Sequence, residues 1–213
     1  MKFGIYGIVT NPLLDYKIIA EAFAEEGVRF LQLREKHKSD KEIVAIARQL
    51  KEILNGSETL LVINDRPDIA KIVHADALHL GQNDLSYSDA RLIVGEKLTI
   101  GLSTHNLQQL TESQKYNLAY VGFGPIFPTV TKEKPDPVVG TELLKEALKI
   151  SMIPIVAIGG IFPENLDEVL NAGARNICMV RFFMEAKTKV ELKEKIKFVK
   201  QKIDSYDTAS TSH

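Results

Sequence analysis

Short β-branched runs alternate with amphipathic stretches along the whole chain, and this alternation is the feature that most constrains its fold. Most of the runs are almost continuously apolar, which is typical of strands buried on both faces of a parallel sheet. Eight strands are predicted, at residues 4–9, 28–33, 60–64, 76–80, 97–102, 118–123, 153–158 and 175–180. Eight strand–helix units within 213 residues indicate an α/β protein, a single-domain (β/α)8 TIM barrel.

Helix signals punctuate the stretches between these strands. Ser39 and Glu42 form a capping-box pattern ahead of apolar residues at helical spacing. The last predicted helix carries an apolar stripe that ends near Ile203. Beyond it the chain is small and polar, so we expect the barrel to span residues 1–204 and residues 205–213 to form a disordered tail.

Composition excludes several classes of function. The formal net charge is −1 and basic residues are not clustered, which argues against a nucleic-acid partner. No apolar run approaches the ~18 residues of a membrane span, and the first strand begins too early to leave room for a signal peptide, so a cytoplasmic location is expected. The single cysteine, Cys178, lies in an apolar run typical of a buried thiol. A homo-oligomer remains compatible with the sequence.

Polar residues recur just after the predicted strands, and in a barrel all such positions meet at one face. After the second strand, Gln32, Arg34 and Lys36 alternate onto the same side. Two cations and an amide suit a polyanion such as a diphosphate, because arginine forms a bidentate fork and lysine a mobile charge. Salt bridges to neighbouring acids are the alternative for these cations.

Two carboxylates, Asp65 and Asp84, follow the third and fourth strands. Mg²⁺ commonly binds one or two carboxylates together with water and phosphate oxygens, so this pair is a candidate magnesium site. Each aspartate is alternatively a helix cap, before Pro67 and Ser86 respectively. His79 falls within the fourth strand and is interpreted as a hydrogen-bonded histidine of the barrel.

The fifth strand leads into Ser103 and His105. The hydroxyl of Ser103 is a candidate ligand contact. His105 is placed to titrate at the catalytic face, although a helix start or a surface position would explain it equally simply.

The longest irregular stretch, residues 124–140, follows the sixth strand and is predicted to be a closing loop. Its Thr129 and Thr131 offer hydroxyls to phosphate oxygens, and Lys132 offers charge to a leaving group. The alternative is a prolyl turn with exposed lysines. After the last two strands come Gly160 and Arg181, where barrels often bind a phosphate.

Several motifs in order along the chain resemble those of the thiamine phosphate synthase family, whose superfamily also contains the TenI-type thiazole tautomerases. They are YGIVT (6–10), QLREK (32–36), INDR (63–66), HLGQ-x-D (79–84), GLSTHN (101–106), GPIFPTVTK (124–132) and AIGGI (157–161). The resemblance implies a transferase that couples a pyrimidine pyrophosphate with a thiazole phosphate by a magnesium-assisted dissociative substitution.

The same resemblance implies roles for individual residues. Arg34, Lys36, Asn64 and Lys132 would surround the pyrophosphate, and Asp65 and Asp84 would hold Mg²⁺. Gln32 and Ser103 would contact the pyrimidine, and Thr129, Thr131 and Gly160 would face the thiazole phosphate. Arg34, Lys36, Ser103 and Lys132 are accordingly the candidate catalytic residues.

The chain departs from the family pattern at Arg181, where the family usually has a small residue. The arginine would either bind the thiazole phosphate directly, which its charge favours, or fill the pocket. Two other functions remain open: a TenI-like tautomerase that uses His105 as acid and base, and a non-catalytic binder of thiamine or thiazole phosphate.

Overall fold

Parallel strands close into a barrel in chain order, from β1 to β8 and back to β1. The computed structural model describes residues 2–129 and 136–210. The strands are β1 Gly4–Val9, β2 Phe30–Leu33, β3 Leu60–Asn64, β4 Ala77–Leu80, β5 Thr99–Thr104, β6 Tyr120–Phe123, β7 Ile155–Ile158 and β8 Asn176–Cys178. The predicted TIM barrel is therefore confirmed, and the bounds of β1 and β3 coincide with the prediction.

Helices surround the barrel within the described residues. They are α1 Tyr16–Glu25, α2 Asp40–Leu54, α3 Pro67–Ile72, α4 Tyr87–Val94, α5 Leu107–Ser113, α6 Gly140–Ile150, α7 Leu166–Asn171, α8 Val180–Met184 and α9 Lys189–Ser210. The predicted capping box is present at the start of α2, where Ser39 and Glu42 each bond the backbone of the other. None of the helices in this part of the chain is long and apolar enough to cross a membrane.

The eighth strand is shorter than predicted. It ends at Cys178, and the apolar run continues into the short helix α8. Phe183 of this helix is buried and packs edge-on against Phe23 of α1. Over so few residues, a buried strand and a buried helix have equally apolar sequences. The apolar pattern therefore did not show where β8 ends and α8 begins.

Helix α9 also runs further than predicted, and the disorder expected after residue 204 is wrong for residues 205–210. Contacts with the rest of the chain hold these last turns. Arg175 Nε donates to the Asp207 carboxylate at 2.6 Å, and Tyr206 Oη donates to Asp167 at 3.1 Å. Residues 211–213 lie outside the described residues.

Two apolar layers result. The larger lies between the sheet and the helices, and the smaller fills the barrel. The interior is built by alternate strand residues that face inward, among them Tyr6, Phe30, Val62, Tyr120 and Cys178. Burial raises the pKa of the Cys178 thiol, in keeping with the buried, unreactive cysteine predicted from the sequence.

Candidate active site

A cavity opens at the carboxyl-terminal ends of the strands, the face at which TIM barrels carry their active sites. Residues that follow β1, β2, β5, β6, β7 and β8 line it. Five of the predicted site residues are among them: Arg34, Ser103, Thr129, Gly160 and Arg181. The closed barrel thus brings together side chains that are far apart in sequence.

Arg34 lies at the cavity wall directly after β2. Its backbone N–H donates to the Val9 carbonyl at 3.0 Å, which fixes the start of the loop. Within residues 2–129 and 136–210 its guanidinium has no ion pair or hydrogen bond. The salt-bridge alternative is therefore not seen for Arg34, whose charge faces the cavity.

Lys36 does form a salt bridge, and its partner is Asp65 after the neighbouring strand β3. The Asp65 backbone has a positive φ of 59°, and its N–H donates to the His79 carbonyl at 2.8 Å. This contact with β4 turns the carboxylate toward Lys36 and Asp84.

The carboxyl groups of Asp65 and Asp84 are close enough to influence each other's ionisation. Burial and the neighbouring Asp65 raise the pKa of Asp84 to about 6. Burial also opposes ionisation of Asp65, but the neighbouring Asp84 and the hydrogen bond from Lys36 hold its pKa below the ordinary value. Below about pH 6 the pair therefore holds one proton between its two carboxyl groups, and above that pH both carboxylates are charged.

Neither aspartate acts as a helix cap. The N-cap of α3 is Arg66, and the N-cap of α4 is Ser86, whose hydroxyl accepts from the Asp89 N–H. Asp84 instead accepts from the Gly81 N–H at 2.7 Å, which folds its own loop back to the end of β4.

Gln32 and Asn64 occupy inward-facing positions on β2 and β3. Gln32 is only 1% exposed, and its amide nitrogen donates to Tyr6 Oη at 2.9 Å. Asn64 is the last residue of its strand and lies in register with His79. Gln32 is thus held within the barrel, whereas Asn64 lies at the level of the strand ends.

Ser103 lines the cavity and contacts a histidine beneath it. His79 Nε2 lies 2.9 Å from Ser103 Oγ, and His79 Nδ1 lies 3.2 Å from Tyr120 Oη. The interpretation of His79 as a hydrogen-bonded barrel histidine is confirmed. Sequence reasoning missed Tyr6 and Tyr120, although their places in apolar strand runs, at inward-facing positions, are a signal that could have found them.

His105 is engaged at both ring nitrogens. Nδ1 lies 2.6 Å from the Gly124 carbonyl oxygen, and Nε2 lies 3.3 Å from the Asp136 carboxylate. The imidazole therefore joins the end of β5 to both sides of the loop that follows β6. Asp136 lines the cavity as well and was not singled out from the sequence.

Gly160 lies against the backbone of that same loop. Its φ is +66°, and a Cβ atom built on it would lie 2.6 Å from the carbonyl oxygens of Phe127 and Pro128. The Phe127 N–H donates to the Gly159 carbonyl at 3.0 Å and holds the two segments together. Only glycine fits so close an approach. Thr131 and Lys132 lie outside the described residues.

Arg181 lies in the first turn of α8, at the cavity wall. Its guanidinium pairs with Glu185 at 3.0 Å and lies 5.4 Å from the centre of the Phe162 ring. The side chain remains 47% exposed, so it lies at the rim of the cavity and does not fill it.

An eight-stranded barrel with arginines, hydroxyls and a glycine turn around one cavity belongs to the class of TIM-barrel proteins that bind anionic small molecules at the strand ends. Residues 5–183 match the thiamine monophosphate synthase family, and the chain belongs to that family.

Individual relatives agree with this membership. A thiamine-phosphate synthase from Dictyoglomus thermophilum is 42% identical, over 96% of this chain and 93% of its own. One from Caldicellulosiruptor bescii is 38% identical, over 84% of this chain and 83% of its own. The solved structure of a thiamine phosphate pyrophosphorylase from Pyrococcus furiosus is similar with a TM-score of 0.82 and 29% identity, over 94% of this chain and 96% of that one.

Proposed function

We propose that the chain is a thiamine phosphate synthase, which couples 4-amino-2-methyl-5-hydroxymethylpyrimidine pyrophosphate with a thiazole phosphate and releases pyrophosphate. The observation that carries this proposal is the convergence of Arg34, Ser103, Gly160 and Arg181 on one cavity, in a member of the thiamine monophosphate synthase family. Two cations, Arg34 and Arg181, line this cavity and suit two anionic substrates.

The pyrophosphate half lies around β2, β3 and β4. Arg34 and Lys36 bind the leaving pyrophosphate, and their charge stabilises the transition state as the carbon–oxygen bond to the pyrimidine methyl group breaks. Asn64 adds a neutral contact at the same level. Lys132 is proposed to reach the leaving group from the loop after β6.

The chemistry of the donor set at Asp65 and Asp84 fits Mg²⁺. The carboxyl groups of Asp65 and Asp84 are close enough to influence each other's ionisation, and a bound cation would relieve the repulsion between the two carboxylates. The described residues contain no cluster of three or more protein ligands. Mg²⁺ usually takes its remaining ligands from water and substrate oxygens, and when held by Asp65 and Asp84 it would supply positive charge to the pyrophosphate.

The thiazole-phosphate half lies around β7 and β8. Among the described residues, no backbone bond uses the N–H groups of Gly160 and Ile161, which line the cavity and suit phosphate oxygens. Arg181 adds a cation at the same wall, while Thr129 adds a hydroxyl from the loop after β6. Thr131 is proposed to act beside Thr129.

These residues place the thiazole nitrogen beside the pyrimidine methyl carbon and exclude water that would otherwise capture the cation. Pyrophosphate leaves with the bonding electron pair, and the nitrogen lone pair then forms the new carbon–nitrogen bond. Gln32 and Ser103 orient the pyrimidine. Positioning and charge stabilisation therefore account for the rate.

The tautomerase alternative needs His105 as acid and base. Both of its ring nitrogens face protein oxygens, of Gly124 and Asp136. That arrangement favours a structural role in holding the loop over acid–base chemistry on a substrate. A tautomerase would also have no use for the cluster of Lys36, Asp65 and Asp84.

The decisive experiment supplies purified protein with both substrates and Mg²⁺ and measures pyrophosphate and thiamine phosphate. Stoichiometric formation of both products is expected, with neither formed when the thiazole phosphate is omitted. Absence of coupling, together with tautomerase activity that His105→Ala abolishes, would contradict the proposal.

Arg181→Ala tests the second half of the site. Loss of a charged contact should raise KM for the thiazole phosphate by about ten- to one hundredfold and leave KM for the pyrimidine pyrophosphate unchanged. Arg48→Ala is the matched control, because Arg48 is exposed on α2, outside the cavity. A lower KM in Arg181→Ala would mean that the arginine obstructs the site.

A further inference from the structure

A continuous series of hydrogen bonds crosses the interior of the barrel beneath the cavity. It runs from Gln32 to Tyr6 (2.9 Å), from Tyr6 to Tyr120 (2.5 Å), from Tyr120 to His79 (3.2 Å) and from His79 to Ser103 (2.9 Å). We call these five residues the interior relay. Three of them, Tyr6, Tyr120 and His79, have no part in the proposed coupling.

The two phenols of the interior relay keep their protons. Tyr6 and Tyr120 are 2% and 1% exposed. Burial in this surrounding raises the pKa of both hydroxyl groups above the ordinary value. Each phenol therefore has one proton to donate. It donates this proton to one of its two neighbours in the interior relay and accepts a hydrogen bond from the other.

The amide of Gln32 sets the direction of donation. Its nitrogen only donates, so Tyr6 Oη accepts from Gln32 and gives its own proton to Tyr120 Oη. Because Tyr120 Oη accepts from Tyr6, its own proton is left for His79 Nδ1, which lies 3.2 Å away. A neutral imidazole that accepts at Nδ1 carries its proton on Nε2.

The hydrogen bond between His79 and Ser103 extends this order of donation to the cavity. His79 Nε2–H donates to Ser103 Oγ, so the hydroxyl hydrogen of Ser103 is left to point away from His79. Ser103 lines the cavity. Its hydroxyl is thus presented to a ligand as a donor.

We propose that the interior relay orients His79 with Nδ1 as the acceptor and Nε2–H as the donor, and so makes Ser103 a hydrogen-bond donor to a ring nitrogen of the pyrimidine. His79, Tyr120 and Tyr6 are then positioning residues. The identity of the acceptor rests on the proposed function, but the tautomer of His79 does not.

Packing inside the barrel supports this assignment. A Cβ atom at Gly101 would lie 2.2 Å from Tyr120 Cζ, so glycine on β5 makes the space in which the phenol reaches His79. The rings of His79 and Tyr120 stack with centroids 5.7 Å apart and planes 8° apart. Stacking fixes the orientation of the imidazole, and the hydrogen bonds then fix its protonation.

Nitrogen-15 NMR of histidine-labelled full-length protein, without substrate, reads the tautomer directly. The His79 signals, assigned by their loss in His79→Gln, should show a protonated Nε2 and an unprotonated Nδ1 at neutral pH. A protonated Nδ1, whether in the other tautomer or in an imidazolium, overturns the proposal. This measurement on the unaltered chain needs no variant of the interior relay to fold.

Tyr120→Phe removes the donor to Nδ1 and should convert His79 to a mixture of tautomers. Tyr116→Phe is the control, because Tyr116 stacks on Tyr87 outside the barrel and should leave the His79 signals unchanged. An unchanged tautomer in Tyr120→Phe would show that the interior relay does not set it.

Kinetics then test the consequence for Ser103. Tyr120→Phe and Ser103→Ala should each raise KM for the pyrimidine pyrophosphate about two- to tenfold, with KM for the thiazole phosphate unchanged. Their combination should be no worse than Ser103→Ala alone, because both remove one contact. Multiplying effects would overturn the positioning role. An Nε2–H tautomer without coupling activity would refute the proposed function and leave the tautomer assignment intact.

Discussion

Asp84 is a residue that folding makes harder to ionise. Its carboxyl group lies beside Asp65, and burial together with this neighbour raises its pKa to about 6. The folded chain thus holds two carboxylates that repel each other after the neighbouring strands β3 and β4. Residues that bind cations often have this property, because the arrangement that suits the cation is costly without it.

Asp84→Asn should stabilise the protein in a pH-dependent way. Because folding raises the pKa of Asp84, its ionisation opposes folding; the cost is absent below about pH 4 and complete above about pH 7. The asparagine at position 84 of the variant does not ionise at any of these pH values. Its Tm relative to the unaltered protein should therefore rise as the pH increases between these limits, measured with a chelator present.

Asp40→Asn provides the opposite case for comparison. Hydrogen bonds from Arg66 lower the pKa of Asp40, so its ionisation favours folding, and the variant should lose stability as the pH rises. A Tm difference for Asp84→Asn that is the same at every pH would contradict the proposed repulsion between Asp65 and Asp84.

At the scale of elements, the loop after β6 is positioned by the turn after β7. The loop bonds the turn through the Phe127 N–H, and His105 reaches its far side at Asp136. The absence of a side chain at Gly160 permits the close approach. Two loops that each line the cavity are thereby held in one geometry.

Gly160→Ala should disturb both stability and the site. The positive φ alone costs about 1–2 kcal/mol for alanine. In addition, the new methyl group would collide with two carbonyl oxygens and push the loop away. We expect a loss of stability beyond the cost of φ and a raised KM for the thiazole phosphate.

Gly27→Ala separates these two effects. Gly27 has a similar φ of +62°, but a Cβ atom there meets nothing within 4 Å. In chemical denaturation, Gly27→Ala should lose only the unfolding free energy that a positive φ costs alanine. Its kcat and KM should be unchanged. Equal losses for the two variants would show that the contact between loop and turn is unimportant.

At the scale of the whole molecule, the contacts made by the last turns of α9 lie at the opposite end of the barrel from the cavity. Arg175 precedes β8. Its guanidinium donates to the carbonyl groups of Leu170 and Tyr206 and also forms an ion pair with Asp207. Lys2, just before β1, pairs with Asp204 and Asp207. These bonds fasten the end of the chain to its beginning.

Removal of residues 206–213 should therefore lower Tm and leave kcat per folded molecule unchanged. The deletion takes away Tyr206 and Asp207 and leaves Arg175 and Lys2 without these partners. Removal of residues 211–213 keeps all of these contacts and is the control. Loss of kcat in the longer deletion, at a temperature where the protein is folded, would show that the two ends of the barrel are coupled.

The sequence by itself determined the architecture and the face that carries the site. Strand runs that are apolar throughout must be covered on both faces, and eight strand–helix units in one chain indicate closure into a barrel, in which the residues after the strands meet at one face. Arg34, Ser103, Thr129, Gly160 and Arg181 could be placed at the cavity for this reason.

Only the tertiary structure decided which of these residues are partners. Lys36 pairs with Asp65, and Tyr6 meets Tyr120 at a separation of 114 residues. Periodicity gives the side of a strand that a residue faces, but closure of the barrel sets its neighbours. The same holds for α9, whose polar end was predicted to be disordered because its partners, Arg175 and Lys2, are distant in sequence. Burial and ion pairing across such distances are properties of the folded chain alone.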